Sequence, residues 1–475
     1  MINRNEISSG DIEKQKSIMR RVRESFQGRP APPLAYVDTY GCQQNEADSE
    51  TLRGMLREMG YDLTGDEFAA DVIVINTCAI RENAENRVLG NVGALVHTKK
   101  EKPSQIIAFC GCLAGVPETV GKIRQSYRQV DLVFSPNVLW RFPELLQRVL
   151  TASGRVFDTE ASDGAIAEDL PLRRDGTVKA WLPIMYGCDN FCSYCIVPYV
   201  RGRERSRRPE VIIDEARKLA ADGYKDITLL GQNVNSYGGG LHTDINFPSL
   251  IRRINDIEGE FLIRFMTNHP KDASTELFRA MAESEKAARH IHLPFQSGND
   301  RILGLMNRGY TSTGYLEKIA AARELMPDLV ITSDVIVGFP GETDGEFEDT
   351  LSLIKHARFD AMFTFIYSKR PGTRAADFEE TSTRKEKQVR FDRLIELQNA
   401  ISEEKHMQYI GRITRVLVDG ESHDTRYPLK ARTNGGRLVH LNGEPDLVGK
   451  FLDARITHCN TWSLFGEASL EKQVC

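Results

Sequence analysis

Within Gly187-Cys188-Asp189-Asn190-Phe191-Cys192-Ser193-Tyr194-Cys195, three cysteines stand in the pattern C-x3-C-x2-C at the end of the apolar segment Trp181 to Met185. Three thiols in one short loop constrain the fold more than any other stretch, because the strand must end and the chain must turn around whatever they bind. No Cys or His follows at a spacing that closes a tetrahedral zinc site, which takes four ligands. Iron-sulfur clusters are held by Cys thiolates, usually four. Three ligands to a 4Fe-4S cube therefore leave one iron open, and an open iron can bind a substrate. A structural zinc loop is the plainer alternative, and it lacks its fourth ligand.

The chain before this loop supplies a second set. Residues 1–30 are polar, carry Arg20, Arg21 and Arg23 close together, and read as a flexible lead-in. Over 31–150 the pattern alternates, with strands at 34–40, 71–76, 106–110 and 131–134 and helices at 49–59, 84–96 and 138–150. Strands alternating with helices predict a parallel α/β sheet. Cys42 follows the first strand in Tyr40-Gly41-Cys42-Gln43-Gln44-Asn45, Cys78 the second in Asn76-Thr77-Cys78, and Cys112 the third in Gly111-Cys112-Leu113-Ala114. Loops at the carboxyl ends of parallel strands share one rim, where ligands bind. Three cysteines dispersed in sequence are thus expected to converge as a second three-thiolate site. Three buried core cysteines would be commonplace, but that reading gives no reason for the repeated βα-loop position. Cys110 lies inside its strand and is assigned to packing.

Residues 151–177 are mixed and acidic, with Gly154, Gly164 and Gly176, and read as an interdomain linker. A second alternating series fills 178–408, with six apolar strands at 181–185, 226–230, 261–266, 290–293, 330–337 and 361–367. Six βα units suit a partial, open (β/α)6 barrel, whose chemistry belongs at the carboxyl ends of the strands. The Cys188 loop ends the first strand, Gly231-Gln232-Asn233-Val234-Asn235 the second and Gln296-Ser297-Gly298 the fourth. Gly338-Phe339-Pro340-Gly341-Glu342 ends the fifth, and residues 367–373 the sixth. An amphipathic helix over 384–408, with Phe391, Leu394, Ile395 and Gln398 to Ile401 on one face, closes the series.

From Gly411 the period falls to 2: Val416 and Val418, Val439 and Leu441, Leu452, Ala454 and Ile456, then Trp462 and Leu464. With Asp-Gly, Asn-Gly-Gly and Asn-Gly turns between them, residues 409–470 are predicted to form a small β-barrel. Such barrels commonly bind oligonucleotides, a dimer or domain interface being the plainer use. Cys459 and Cys475 have no partners at metal spacing and receive no role.

Nine cysteines in 475 residues, without a secretory leader, favour metal or redox chemistry in a reducing compartment over disulfides. No run of about 18 apolar residues occurs, so a cytoplasmic protein with no membrane association is expected. A net charge of −5 does not itself suggest nucleic acid, so a local cluster must carry that claim. Arg201-Gly202-Arg203-Glu204-Arg205-Ser206-Arg207-Arg208 places five arginines in eight residues.

With these motifs in place, the chain resembles the radical-SAM methylthiotransferase family over residues 33–470. The resemblance rests on the four motifs that carry the six cysteines, on Asn76-Thr77-Cys78-Ala79-Ile80-Arg81-Glu82, and on Ile196-Val197-Pro198-Tyr199-Val200-Arg201-Gly202-Arg203-Glu204-Arg205-Ser206-Arg207. It implies an α/β fold with an N-terminal parallel cluster-binding domain, a central partial (β/α)6 radical-SAM barrel and a C-terminal TRAM β-barrel. Two 4Fe-4S clusters are implied. One is held by Cys188, Cys192 and Cys195, with its open iron chelating S-adenosylmethionine (SAM). An auxiliary cluster is held by Cys42, Cys78 and Cys112. Asn233, Gln296, Ser297 and Gly338, at strand ends, are the candidate SAM contacts.

Within that family the motifs are similar to those of the branch acting on tRNA, whereas the branch acting on a ribosomal protein carries Pro-Lys after the first Cys. Gln44 stands where the tRNA branch usually has Met, and Asn299 where Ser usually follows Gln-Ser-Gly. Neither departure removes a ligand. The implied reaction replaces the C2 hydrogen of N(6)-isopentenyladenosine, next to the anticodon, by a methylthio group. That carbon has no acidic proton, so a radical is required. One SAM would methylate a sulfur on the auxiliary cluster, and a second would be cleaved to the 5′-deoxyadenosyl radical. The implied partners are the tRNA anticodon stem-loop and a reductant such as flavodoxin, with the sulfur donor left open and the chain acting as a monomer. Some of the arginines at 201, 203, 205, 207 and 208 are expected to meet RNA phosphates, and one to serve SAM or a cluster-side acid instead.

Two other readings remain at this level. A methylthiotransferase could act on threonylcarbamoyl-adenosine in tRNA or on a ribosomal-protein aspartate, against which the first motif argues. A nonenzymatic iron-sulfur scaffold would leave the open iron and the six-unit barrel unexplained.

Overall fold

Val72 to Ile75 and Ile106 to Phe109 are uninterrupted apolar runs, the pattern of strands buried on both faces. In a computed structural model, which describes residues 6–79, 82–151, 154–159, 164–241 and 244–468, they form the middle of a six-stranded parallel sheet. Its strands are β1 (Leu34–Thr39), β2 (Asp62–Leu63), β3 (Val72–Thr77), β4 (Ile106–Gly111), β5 (Leu132–Phe134) and β6 (Val156–Asp158), in the order β2-β1-β3-β4-β5-β6. Alternate residues go to opposite cores. Val72, Val74 and Cys110 pack with Leu52, Met55, Phe142 and Leu146 on one side. Ile73, Ile75 and Phe109 pack with Val88, Val92, Ile123, Ile196 and Val200 on the other. Each large side chain so buried contributes about 1.5–3 kcal/mol.

This sheet belongs to the first of two compact units, formed by residues 1–175, 185–207 and 370–376. Two expectations are corrected in it. Residues 1–30 are not a flexible lead-in where they are described: Ser9–Glu24 is a helix, started by the Ser8 side chain accepting from Asp11 N at 3.1 Å. Its Ile18, Met19 and Val22 enter the first core, too few apolar positions among charged neighbours to register as a period. Residues 1–5 lie outside the described residues. Residues 151–177 are not simply a linker. Val156–Asp158 is β6, Ile166 bridges Glu6, and Arg173 N donates to Glu50 O at 2.9 Å. A three-residue strand is too short to show alternation.

The chain gives β7 (Lys179–Pro183) to the second unit, then returns to the first for β8 (Met185–Tyr186) and β9 (Arg205–Ser206), a short antiparallel pair. The Cys188 loop and the helix Val197–Arg201 lie between them in sequence.

The second unit comprises residues 176–184, 208–369 and 377–475. β7, β10 (Asp226–Leu230) and β11 (Leu262–Phe265) form one parallel triplet, and β12 (His290–His292), β13 (Val330–Val337) and β14 (Ala361–Ile366) another. Ile263 N donates to Lys286 O and Ala288 N to Ile263 O, at 2.8 and 2.9 Å, in a bridge leading from β11 towards β12. This is the partial six-stranded barrel. The helix Arg384–Met407 follows, but its buried face is Lys387, Arg390, Leu394, Gln398, Ile401, Ser402 and His406, while Phe391 and Ile395 are half-buried. Arg390 on this face pairs with Glu342 at 3.1 Å and with Asp344 at 2.9 Å.

β15 (Ile413–Glu421), β16 (Leu429–Thr433), β17 (Leu438–Asn442), β18 (Phe451–Cys459) and β19 (Leu464–Ala468) close into a barrel in the order β15-β16-β17-β19-β18. Val416, Val418, Leu429, Ala431, Val439, Leu441, Ala454, Ile456 and Leu464 fill it. The strand β16 was not anticipated, only two of its three inward residues, Leu429, Ala431 and Thr433, being apolar. Trp462 is 71% exposed and is not part of this core. Residues 469 and 470 and Cys475 lie outside the described residues. Buried charges fasten this barrel within its unit. Arg264 on β11 binds Asp226 at 2.9 Å and the carbonyls of Asn434 and Thr433 at 2.9 and 3.1 Å. Asp360 accepts from Ile331 N at 2.7 Å and pairs with Lys405 at 3.0 Å and with Arg437.

Candidate functional site

β1, β3 and β4 are neighbours, so the segments after their carboxyl ends bring Cys42, Cys78 and Cys112 to one rim. Gly41, at φ 133°, permits the approach, since a Cβ there would lie 2.3 Å from Cys78 Cβ. Cys42 stands in extended backbone at the start of the helix Gln43–Glu58. This helix begins six residues earlier than its apolar pattern predicts, because Gln43 to Asp48 are polar except for Ala47. The Cys42 thiol is lowered to about 6, first by its hydrogen bond with Cys78, against burial, and then by Arg201 and the Asn45 and Gln44 amides. Burial instead raises Cys112, although Arg201 faces it. The two shifts differ in sign because the hydrogen bond with Cys78 outweighs burial at Cys42, whereas burial outweighs Arg201 at Cys112.

Among the described residues no three Cys, His, Asp or Glu side chains stand at the spacing of one bound ion. A 4Fe-4S cube takes each thiolate at a separate iron, so its ligands stand farther apart than those of a single ion. The donor set of three thiols beside a cation fits such a cube.

In the Cys188 loop, Cys188 N donates to Gly202 O at 3.2 Å and Cys195 N to Cys192 O at 2.9 Å. Asn190 Nδ2 lies 3.6 Å from Cys188 Sγ as a donor. Burial pushes the Cys188 thiol up to about 11, so metal binding there must release a proton. Phe191 holds a left-handed φ of 46°, a conformation that costs on the order of 1–3 kcal/mol and collects at functional sites.

The arginine run divides into buried and exposed side chains. Arg201, Arg205 and Arg207 are buried. Arg201 binds Asp48, Asn45 and Cys112; Arg205 donates to the carbonyls of Arg203 and Arg201; Arg207 pairs with Glu168 at 2.7 Å. Arg203 and Arg208 are exposed, and Arg203 pairs with Asp189 at 2.9 Å.

In the second unit, the four strand-end candidates divide. Gln296 adopts φ 67°, and its buried Oε1 has no hydrogen-bond partner among the described residues. Ser297 Oγ accepts from Asn299 N at 3.3 Å. Both ends of the Asn233 amide are engaged, Nδ2 donating to Asp272 at 2.7 Å and Oδ1 accepting from His269 N at 3.2 Å. Gly338 N donates to Glu342 at 2.7 Å, and a Cβ on this residue would meet Lys387 Cγ at 2.4 Å. Asn268 was not anticipated. Its Nδ2 holds His292 O at 2.8 Å while its buried Oδ1 is also without a partner among the described residues. The adjoining Thr267 has φ 63°. Two buried acceptors without partners among the described residues, Gln296 Oε1 and Asn268 Oδ1, suit a ligand that donates hydrogen bonds.

The closed barrel carries an aromatic rung. His440, Phe465 and His458 are directly opposite one another on β17, β19 and β18. Their rings stack at 5.0 and 4.4 Å, with Tyr427 edge-on to Phe465 at 5.1 Å. Lys430, opposite His440 on β16, extends the rung with a charge. His458 and Lys430 are exposed, while His440 and Phe465 are half-buried. Stacked rings beside a cation are the elements of single-stranded nucleic acid binding.

Residues 182–354 match the family described as the Radical SAM superfamily, residues 34–135 the uncharacterized protein family UPF0004, and residues 407–469 the TRAM domain. Among solved structures, the radical S-adenosylmethionine methyltransferase TsrM from Kitasatospora setae, with cobalamin and a [4Fe-4S] cluster bound, superposes with a TM-score of 0.54. That match covers 73% of this chain and 74% of the other at 14% identity, a likeness of fold. Together these define a radical-SAM protein with a TRAM barrel. Curated relatives are far closer in sequence. The tRNA-2-methylthio-N(6)-dimethylallyladenosine synthase of Thermoanaerobacter sp. (strain X514) is 47% identical over 461 residues, 97% of this chain and 98% of that protein. The synthase of Alkaliphilus oremlandii (strain OhILAs) is 47% identical over 465 residues, 98% of each. The chain belongs to the tRNA-2-methylthio-N(6)-dimethylallyladenosine synthase family.

Proposed function

We propose that this chain replaces the C2 hydrogen of N(6)-isopentenyladenosine, next to the anticodon of tRNA, by a methylthio group, using two 4Fe-4S clusters and SAM. The observation that carries this reading is two separate three-thiol sets, Cys42, Cys78 and Cys112 after neighbouring strands and Cys188, Cys192 and Cys195 in one loop, in a chain of this family. The first set holds the auxiliary cluster. The second holds the cluster whose open iron takes SAM. When bound, the clusters and SAM supply the electron and the radical that an unacidic C–H bond requires. Gln296 and Asn268 accept hydrogen bonds from SAM, Ser297 contributes beside them, and Asn233 and Gly338 shape the strand ends they occupy. A reductant such as flavodoxin delivers the electron, and the protein works as a monomer in the cytoplasm, where its tRNA is. No helix among the described residues is long and apolar enough to cross a membrane. Threonylcarbamoyl-adenosine and a ribosomal-protein aspartate are not favoured, given the product named for the relatives.

Mass spectrometry of tRNA nucleosides from cells lacking the protein tests this. The methylthio nucleoside should vanish and N(6)-isopentenyladenosine should accumulate; an unchanged methylthio level would overturn the assignment.

The aromatic rung contributes to tRNA grip. His458→Ala and Phe465→Ala should each weaken tRNA binding by about 1–3 kcal/mol, roughly 5- to 150-fold, if each removes one stacked base. Binding at fixed salt checks this, and wild-type affinity in both variants would remove the rung from the interface.

A further inference from the structure

Arg201 follows the last cysteine of the Cys188 loop by six residues, yet its guanidinium is 4% exposed and lies against the other cysteine set. Nε donates to Cys112 Sγ at 3.3 Å, and Nη2 donates to Asp48 at 2.8 Å and to Asn45 Oδ1 at 3.2 Å. Asn45 Oδ1 also accepts from Cys42 Sγ at 3.3 Å, so one guanidinium reaches Cys112 directly and Cys42 through Asn45. A side chain serving only an ion pair would turn its two-pronged fork on the carboxylate. Here one nitrogen meets Asp48 and another is aimed at sulfur. Taking a guanidinium out of water is unfavourable, and a plain surface pair with Asp48 would avoid that. The helix carrying it is fixed, since Ile196 and Val200 belong to the second core of the sheet.

We propose that Arg201 is a positioning residue that orients Cys112 and raises the reduction potential of the cluster on Cys42, Cys78 and Cys112. The inference rests on the assignment of these three thiols to a cluster. Hydrogen bonds to ligand sulfurs and local charge set cluster potentials. Reduction adds one negative charge to the cluster, so a cation and a donor at a ligand sulfur favour the reduced form. Removing them lowers the potential. Asp48 opposes Arg201 and holds part of its charge, so removing the Asp48 charge should act in the other direction.

The test uses full-length chain carrying Cys188→Ala, Cys192→Ala and Cys195→Ala, reconstituted anaerobically, so that only the auxiliary cluster is read. A potentiometric titration followed by electron paramagnetic resonance gives its midpoint. Arg201→Met should lower the ratio of reduced to oxidised cluster at the parent midpoint about tenfold, equivalent to about 59 mV for one electron. Arg201→Lys, keeping the charge without the planar fork, should recover part of the shift, and Asp48→Asn should raise the ratio. If Arg201→Met fails to load iron, the Lys and Asn variants carry the comparison in the same way. Equal midpoints in all variants, or shifts of the same sign for Arg201→Lys and Asp48→Asn, would overturn the inference. Failure of the parent to bind any cluster would instead overturn the assignment of the thiols.

Discussion

Replacing Cys42 by Ala will leave reductive SAM cleavage in place and abolish the methylthio product, whereas replacing Cys188, Cys192 or Cys195 will abolish both. The split follows from where the thiols stand. Cys188, Cys192 and Cys195 share one loop, so losing one would remove a third of the protein ligands of the cube proposed to take SAM. Cys42, Cys78 and Cys112 stand together at the rim after β1, β3 and β4, and Cys42 Sγ is already in a hydrogen bond with Asn45. Iron content gives a second reading: about eight irons per reconstituted chain, falling to about four when either set is replaced by three alanines. Methylthio product from the Cys42 variant, or iron unchanged by its triple replacement, would refute the two-cluster assignment.

Asp360→Ala will strongly destabilise the second unit. Its carboxylate is buried and serves Ile331 N, Lys405 and Arg437 together. Burial already pulls the Lys405 ammonium below its ordinary value, so removing the anion leaves two cations and an amide without compensation. Breaking a buried pair from one side costs about 3–5 kcal/mol, which corresponds to a fall in Tm on the order of 10 °C. Asp360→Asn retains a hydrogen-bonding oxygen for Ile331 N and should lose less. Thermal unfolding monitored by circular dichroism decides, and a Tm within about two degrees of wild type for the Ala variant would contradict this account.

The cysteine sets were legible because their signal is spacing within one loop in one case and a repeated position after strands in the other. What the arginine run does was not legible. A run records charge, but not that Arg201, Arg205 and Arg207 turn inward while Arg203 and Arg208 face solvent. Asp48 and Glu168, which receive Arg201 and Arg207, are remote in sequence. Asn268 could have been found, since it follows the third barrel strand and the strand-end rule applies there as to the other five. The Asn233 amide and the Gly338 N–H were legible as positions but not as roles, since their engagement by Asp272, His269 and Glu342 is tertiary. β6 and β16 are short, and the first helix offers few apolar residues, so periodicity had little to act on.

The second core of the N-terminal sheet contains Ile196 and Val200, residues encoded well after the sheet's last strand at Val156–Asp158. During synthesis the sheet must therefore wait, with part of its apolar face uncovered, until the ribosome has passed residue 200. Gene fragments ending at the apparent domain boundary near residue 150 or 177 would yield a sheet with a hole where those two side chains belong, prone to aggregate. A fragment meant to present the rim of Cys42, Cys78 and Cys112 on a complete core must therefore extend past Val200, and so through the stretch carrying Cys188, Cys192 and Cys195.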